Sequence, residues 1–542
     1  MLTTVLVILA VFLFVWVIGL ISYIDMKRRR KSYIHNKFGK VPKAKDWNDT
    51  VRNYYDVMEK ETGSVDDVTW NDLSLNEVFQ RLNHCDTSAG DEILYWRMRR
   101  NHMSFEERQI FEQRVRVFGD NEKEREAIES LLCGIGKDDS SYYIPTYMDA
   151  VEEYGFPVPW LYRLLQVLLA AAFVLMLVTM SDMAGMVFLG VCAVNLAVYI
   201  YLKYRFELEL SMVGTVVSLL ENARLIAKRK EVETLFPDLK KELSGLKGVI
   251  RGERILRNQR AGAVSGDAFG MLADYIMGVT LWQVTTYNKV IRRLAGNTDR
   301  YMAVYRMIGE LDAAISTASY RKSLPWYCTP EYVEEKAVFM EDVYHPLIAD
   351  PVANSIELKR SCLITGSNAS GKSTFIKAVA VNAILAQSLN TCAARTFRMP
   401  EAEVLTSMAV KDDLMAGESY FIREIRYLKR ILDHLDESRT MICAIDEILR
   451  GTNTGERIRA SRAILEYLKD KNCIALVATH DKELTELLGD DYDNYHFSEE
   501  IGDHDIAFIY KIMEGPATSQ NAIKLLEFAG FPETIIKAAS SD

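Results

Sequence analysis

The run Gly366-Ser367-Asn368-Ala369-Ser370-Gly371-Lys372-Ser373-Thr374 constrains this chain more than any other stretch. An apolar pair, Leu363 and Ile364, precedes it, and a helix-compatible segment from Phe375 to Ala386 follows. Strand, glycine-rich turn and helix in that order predict a phosphate-binding loop. Glycines let backbone N–H groups close around phosphate oxygens, and the helix start adds positive potential there. On this reading residues 366–374 hold the phosphates of ATP. Lys372 reaches the β- and γ-phosphates, and the Ser373 hydroxyl helps to hold Mg²⁺.

Downstream residues strengthen the reading. Met441-Ile-Cys-Ala-Ile445 predicts a buried strand ending in Asp446-Glu447. An aspartate there can hold the Mg²⁺ hydration shell, and the adjacent glutamate can polarise the attacking water. A second apolar run, Ile474 to Ala478, ends in Thr479-His480-Asp481. A histidine at that edge of an α/β sheet sits where ligands bind and is placed to sense the γ-phosphate. A third run, within Asp505 to Met513, predicts a strand only. Between loop and acid pair, Ser419 stands at an expected helix start, with Phe421, Ile425 and Leu428 as its apolar stripe. Ser419 is either a helix cap or a residue facing a nucleotide on a second subunit. Spacing does not choose between them.

The amino-terminal half has a different character. Leu2 to Ile24 is apolar and uncharged, and Lys27-Arg28-Arg29-Arg30-Lys31 follows soon after it. Charges after the apolar run predict a retained anchor with its N-terminus outside, not a cleaved signal. Leu161–Met180 and Met186–Leu202 are two further apolar runs with a short polar link, which predicts a membrane hairpin. Arg163 before it and Lys203 and Arg205 after it place its ends inside, with Trp160, Tyr162, Tyr199, Tyr201 and Tyr204 in the interfacial belt. The expected setting is thus a bacterial-type inner membrane, three spans, and the large segments in the cytoplasm.

Between these runs the chain reads as helix. Asp66 to Phe118 is amphipathic, with a turn expected at Thr87-Ser-Ala-Gly90 and Arg97, Arg99 and Arg100 on a solvated face. From Arg205 to Tyr320, residues such as Leu208, Met212, Val216, Leu219 and Leu220 recur at helical spacing, as lever helices would require. A net charge of −10 excludes a surface given over wholly to nucleic acid. The eight cysteines show no metal-ligand spacing and read as reduced.

ITGSNASGKST, GESYFIREI, IDEILRGTNTGE and ATHDKEL, in this order, resemble the C-terminal ATPase domain of the MutS mismatch-repair family. Tyr344-His345-Pro346 and the run from Gly515 through Ala529-Gly530-Phe531-Pro532 resemble that domain's flanks, and Asp66 to Phe118 more thinly resembles the start of its helical core. The resemblance implies an ABC-type ATPase acting as a homodimer with composite sites. It implies Lys372, Ser373 and Asn368 on phosphate and metal, and Asp446 on the metal. Glu447 would act on water, His480 on the γ-phosphate, Ser419 on the partner subunit's nucleotide, and His496 near the base. Duplex DNA is the partner it implies. Departures are equally plain: the start of the chain resembles an anchor where the family's repair members carry a mismatch-reading domain. Ser519-Gln-Asn-Ala522 also stands where the family has serine-tyrosine-glycine.

The expected fold is therefore an α/β P-loop, ABC-type ATPase domain at the C-terminus, preceded by an all-α core and lever region and three transmembrane helices. Its expected divisions are an anchor (1–25), a helical region (26–158), a hairpin (159–204), levers (205–325) and the ATPase with dimerisation helices (326–542). The leading function is a membrane-anchored, Mg²⁺-dependent ATPase coupled to mismatched or structured DNA. The alternative is a nucleotide-switched membrane scaffold acting on a protein partner without DNA; a transporter motor is a weaker third reading.

Overall fold

Helices carry the chain as far as Ser323, and sheets begin at Glu331. The computed structural model describes residues 17, 21, 24–43, 46–58, 64–250, 275–367, 370–408, 420–501, 506–517 and 530–539.

The helical region is organised by the 26-residue helix Thr298–Ser323. Its Gly309 lies so close to Ile93 and the Ala89 carbonyl that a Cβ would overlap them. Asp312 on the same helix accepts from the Asp86 and Thr87 N–H groups and from the Thr87 hydroxyl. Thr87 in turn accepts from Gly90 N at 2.9 Å. Thr87-Ser-Ala-Gly90 is therefore not the expected turn but the capped start of helix Ser88–Arg99. Gly90 needs its missing side chain because the Asp312 carboxylate occupies the space. The expected solvated arginines also differ: Arg97 and Arg99 are buried, with Arg99 over Trp70 at 4.2 Å and paired to Asp67 at 2.7 Å. Guanidinium stacking on aromatic faces makes such burial tolerable.

The carboxy-terminal region holds two mixed sheets. One has the order β1-β5-β2-β3, with β1 Glu331–Tyr332, β2 Val338–Val343, β3 Asn354–Leu358 and β5 Thr396–Met399. The other has the order β10-β9-β4-β8-β7-β6, with β4 Cys362–Thr365, β6 Ala402–Ser407, β7 Thr440–Asp446, β8 Cys473–Ala478, β9 Asp493–Ile501 and β10 Ile506–Glu514. Strands β9, β4, β8, β7 and β6 are parallel, and β10 returns antiparallel to β9. The central strands β4, β8 and β7 of the larger sheet are buried on both faces. In β7, Ile442 and Ala444 pack towards helix Lys372–Leu389 and the main core, whereas Met441, Cys443 and Ile445 join a second core with Leu428 and Leu465. The period of two sends alternate residues to opposite faces, so such a strand reads as one apolar run.

The expected three transmembrane helices are corrected to two candidates. Among the described residues only two helical runs, Val151–Thr179 and Asp182–Arg205, are long and apolar enough to cross a membrane. The stretch Leu2 to Ile24 lies outside the described residues except at positions 17, 21 and 24. Both runs are largely uncovered, with 11% and 17% of their apolar windows buried. The architecture is a helical region with an exposed apolar hairpin, followed by a domain of two mixed sheets. Leu208, expected in a buried stripe, is exposed near the base of that hairpin.

Helical region and sheets meet through buried charge. Arg321, near the end of the long helix, pairs with Glu112 at 2.7 Å and donates to the Asn390 carbonyl at 2.8 Å. Asn390 is the left-handed C-cap of helix Lys372–Leu389, which begins at the phosphate loop. Asp72 accepts from Thr406 Oγ1 at 2.7 Å, and Asp66 pairs with Arg430 at 2.8 Å.

Candidate functional site: a phosphate loop facing a glutamate–histidine pair

Because β4, β7 and β8 are parallel neighbours, their C-terminal ends open on one edge of the sheet. That edge carries the phosphate loop, Asp446-Glu447 and Thr479-His480, the place where open α/β sheets bind ligands. The loop leaves β4 through Gly366, whose φ of 145° and close approach to the Phe497 carbonyl (2.7 Å from an added Cβ) both require glycine. Gly371, at φ 110°, starts helix Lys372–Leu389. The first N–H groups of that helix have no intrahelical acceptor and point back towards the loop. Lys372 Nζ donates to the Gly366 and Ser367 carbonyls, both at 2.7 Å. Burial pulls the Lys372 ammonium below its ordinary range, against the opposing pull of Asp446, Glu447 and Glu499. Ser370 is buried and donates to the Ser367 carbonyl; Ser373 is half-buried and Thr374 exposed.

Glu447 sits just past β7 in the left-handed region, φ 64°, with its N–H on the Ala478 carbonyl at 3.0 Å. A non-glycine residue in that region is strained, and such strain gathers at functional positions. Its carboxylate faces His480 Nε2 at 2.9 Å and Arg450 at 2.8 Å. The His480 hydrogen bond, with the charges of His480, Arg450 and Lys372, holds the Glu447 carboxyl below its ordinary range despite burial. The group is therefore an ionised acceptor.

His496 lies in β9 in register with Thr365, the last residue of β4, and its Nδ1 is 2.9 Å from the Gly515 carbonyl. Asn368, Ala369 and Ser419 lie outside the described residues.

Sequence reasoning missed Glu424. It was absent from the expected stripe Phe421, Ile425, Leu428, yet Ile425 is exposed and Glu424 is buried. Glu424 accepts from the Arg450 and Gly451 N–H groups at 3.3 and 3.2 Å, clasping the turn that follows Glu447. The available signal was position: Glu424 falls on the same helix face as Phe421 and Leu428.

The C-terminal region is thus a mixed-sheet domain with a glycine-rich loop and the Glu447–His480 pair on one strand edge. Residues 362–542 match the family described as MutS domain V. The chain is 30% identical over 272 residues to the DNA mismatch repair protein MutS of Leptospira interrogans serovar copenhageni, covering 47% of this chain and 32% of that protein. Against the DNA mismatch repair protein MutS of Natronomonas pharaonis it is 30% identical over 264 residues, covering 47% and 30%. The match to MutS domain V covers the C-terminal third of the chain. The chain spans about a third of the length of these curated relatives.

Proposed function

We propose that this protein binds and hydrolyses ATP at the Gly366–Ser373 loop, and that it does so as a homodimer. The observation that carries the reading is the pairing of Glu447 with His480 on the strand edge that also carries Lys372. An ionised, half-buried carboxylate beside a phosphate loop suits orientation and deprotonation of an attacking water, and Lys372 suits charge stabilisation on the phosphoryl oxygens. His480 holds Glu447 in place and is assigned to the γ-phosphate. The oxygen donors Ser373 and Asp446 fit Mg²⁺, which when bound supplies charge neutralisation at the phosphates. Ser419 is assigned to the partner subunit's nucleotide and His496 to the base side. The dimer reading is supported by exposed Ile422 and Ile425 on helix Tyr420–Asp433, which follows Ser419 directly.

DNA coupling comes from the relatives, both named as DNA mismatch repair proteins. The link from nucleotide to helical region would run along helix Lys372–Leu389 to Asn390 and Arg321. The exposed apolar hairpin supports a membrane setting, with both hairpin ends and the ATPase on the cytoplasmic side. The second reading, a nucleotide switch acting on a protein partner, is favoured by that same hairpin.

The test is the ATPase rate of detergent-purified full-length protein with and without duplex, mismatched or branched DNA. A rate changed by one of these DNAs supports the DNA-coupled reading. An active enzyme indifferent to all of them supports the switch reading, and an inactive one contradicts both.

A further inference from the structure

Cationic side chains gather at the base of the apolar hairpin. Arg163 stands just over one turn inside helix Pro159–Thr179, and Lys289, Arg292 and Arg293 lie on helix Trp282–Ala295. Together with Thr285 and Asn288 they line a recess of about 200 Å³, and none of its described lining residues is a carboxylate. Arg163, Lys289 and Arg292 are exposed and make no ion pair among the described residues. Arg293 also donates to the Gly248 carbonyl. Asn288 is only 7% exposed, and its Oδ1 accepts from Phe156 N at 2.7 Å. Clustered like charges repel one another, and an anion seated among them relieves that repulsion.

The level of the recess follows from its neighbours. Gln166, one turn beyond Arg163, donates to the Thr280 carbonyl at 2.9 Å. Tyr199 donates to Gln283 at 2.7 Å, and Asn195 to the Val279 carbonyl at 2.8 Å. Residues 279–283 thus run beside both hairpin helices, and the basic residues emerge at the hairpin's open end, where Lys203 and Arg205 also lie. Trp160, Trp282 and Tyr204 are exposed at the same end, as interfacial anchors are.

We infer that this recess binds the phosphate headgroup of an anionic phospholipid. The inference rests on the membrane reading of the hairpin given above. Basic pockets at the cytoplasmic ends of apolar helices take such headgroups. A volume of about 200 Å³ suits one headgroup and is far too small for a duplex.

The experiment uses full-length protein in detergent with phosphatidylglycerol and phosphatidylcholine, and counts retained lipid by native mass spectrometry. Lys289→Gln/Arg292→Gln removes two exposed charges with no described ion pairs, and Lys241→Gln serves as the control. Phosphatidylglycerol should be retained by wild type and control and lost about tenfold or more in the double variant, with phosphatidylcholine unaffected. Equal retention in all three proteins, while wild type still needs detergent for extraction, overturns the recess and leaves the hairpin reading standing. Extraction of wild type by alkaline carbonate alone overturns both. Displacement of the lipid by millimolar inorganic phosphate would show a free-phosphate site, and displacement by a short duplex a nucleic-acid site; either contradicts the lipid assignment.

Discussion

His480 Nε2 lies 2.9 Å from the Glu447 carboxylate, and the two residues follow neighbouring parallel strands whose ends, Asp446 and Ala478, are paired in register. Strand pairing therefore fixes their approach, and helix Thr454–Lys469 braces it: Arg457 pairs with Asp481, the residue after His480, at 2.5 Å. The hydrogen bond from His480 is the largest influence holding the Glu447 carboxyl low. In His480→Ala that hold is lost while the burial remains, so the Glu447 carboxyl should rise. A base must be ionised, so the acid limb of the ATPase pH–rate profile should move to higher pH. An unmoved limb with a lowered plateau would give His480 a role separate from Glu447.

Glu424 accepts two backbone N–H groups from the turn after Glu447. In Glu424→Ala these donors lose a buried acceptor, a cost of about 1–3 kcal/mol. Hydrolysis should fall more than nucleotide binding, because the turn positions Glu447 and not the phosphate loop. Stopped-flow binding of a fluorescent nucleotide beside steady-state turnover separates the two.

Arg321 and Glu112 are 5% and 7% exposed in side chain, and Glu112 also accepts from Asn390 and Arg116. Burial pushes the Glu112 carboxyl up, but the bonds and charge of Arg321, with Asn390 and Arg116, outweigh it and hold the group below its ordinary range. Arg321→Ala leaves the buried Glu112 carboxylate with only Asn390 and Arg116 as partners and should cost about 1–3 kcal/mol, read as a fall in Tm. Arg321→Met/Glu112→Leu should recover much of it. Because a depressed carboxyl stabilises above its unfolded pKa and loses that contribution as pH falls through the folded one, the wild-type advantage over the double variant should shrink on acidification.

Asp312 fills the space beside Gly90 and holds Thr87, the N-cap of helix Ser88–Arg99. Gly90→Ala should therefore destabilise, where an exposed glycine-to-alanine change inside a helix would stabilise by up to about 1 kcal/mol. Thermal unfolding of the single variant checks the sign.

Much of the site was legible because phosphate loops and acid-ended strands are local patterns, readable within ten residues. β7 and β8 announced themselves as apolar runs for the same reason that buries them on both faces. What escaped reading depends on pairs distant in sequence. Arg99 becomes a core residue only because Trp70 and Asp67 arrive from an earlier helix. Thr87 becomes a cap only because Asp312 arrives from a later one. β9 was not foreseen, since Asp493 to Ile501 carries Glu499 and Glu500 and lacks an apolar run, yet it pairs with the strand that bears the loop. The apolar hairpin was legible by length, whereas the count of three spans was not sustained among the described residues.

In the proposed reaction Glu447 activates water for hydrolysis, and the loop binds ATP independently of it. The direct measurement is single-turnover hydrolysis by Glu447→Gln, paired with equilibrium binding of ATP and Mg²⁺ to the same preparation. Hydrolysis should fall by about 10²-fold or more, with binding within about threefold of wild type. Hydrolysis at the wild-type rate in that variant would contradict this role of Glu447.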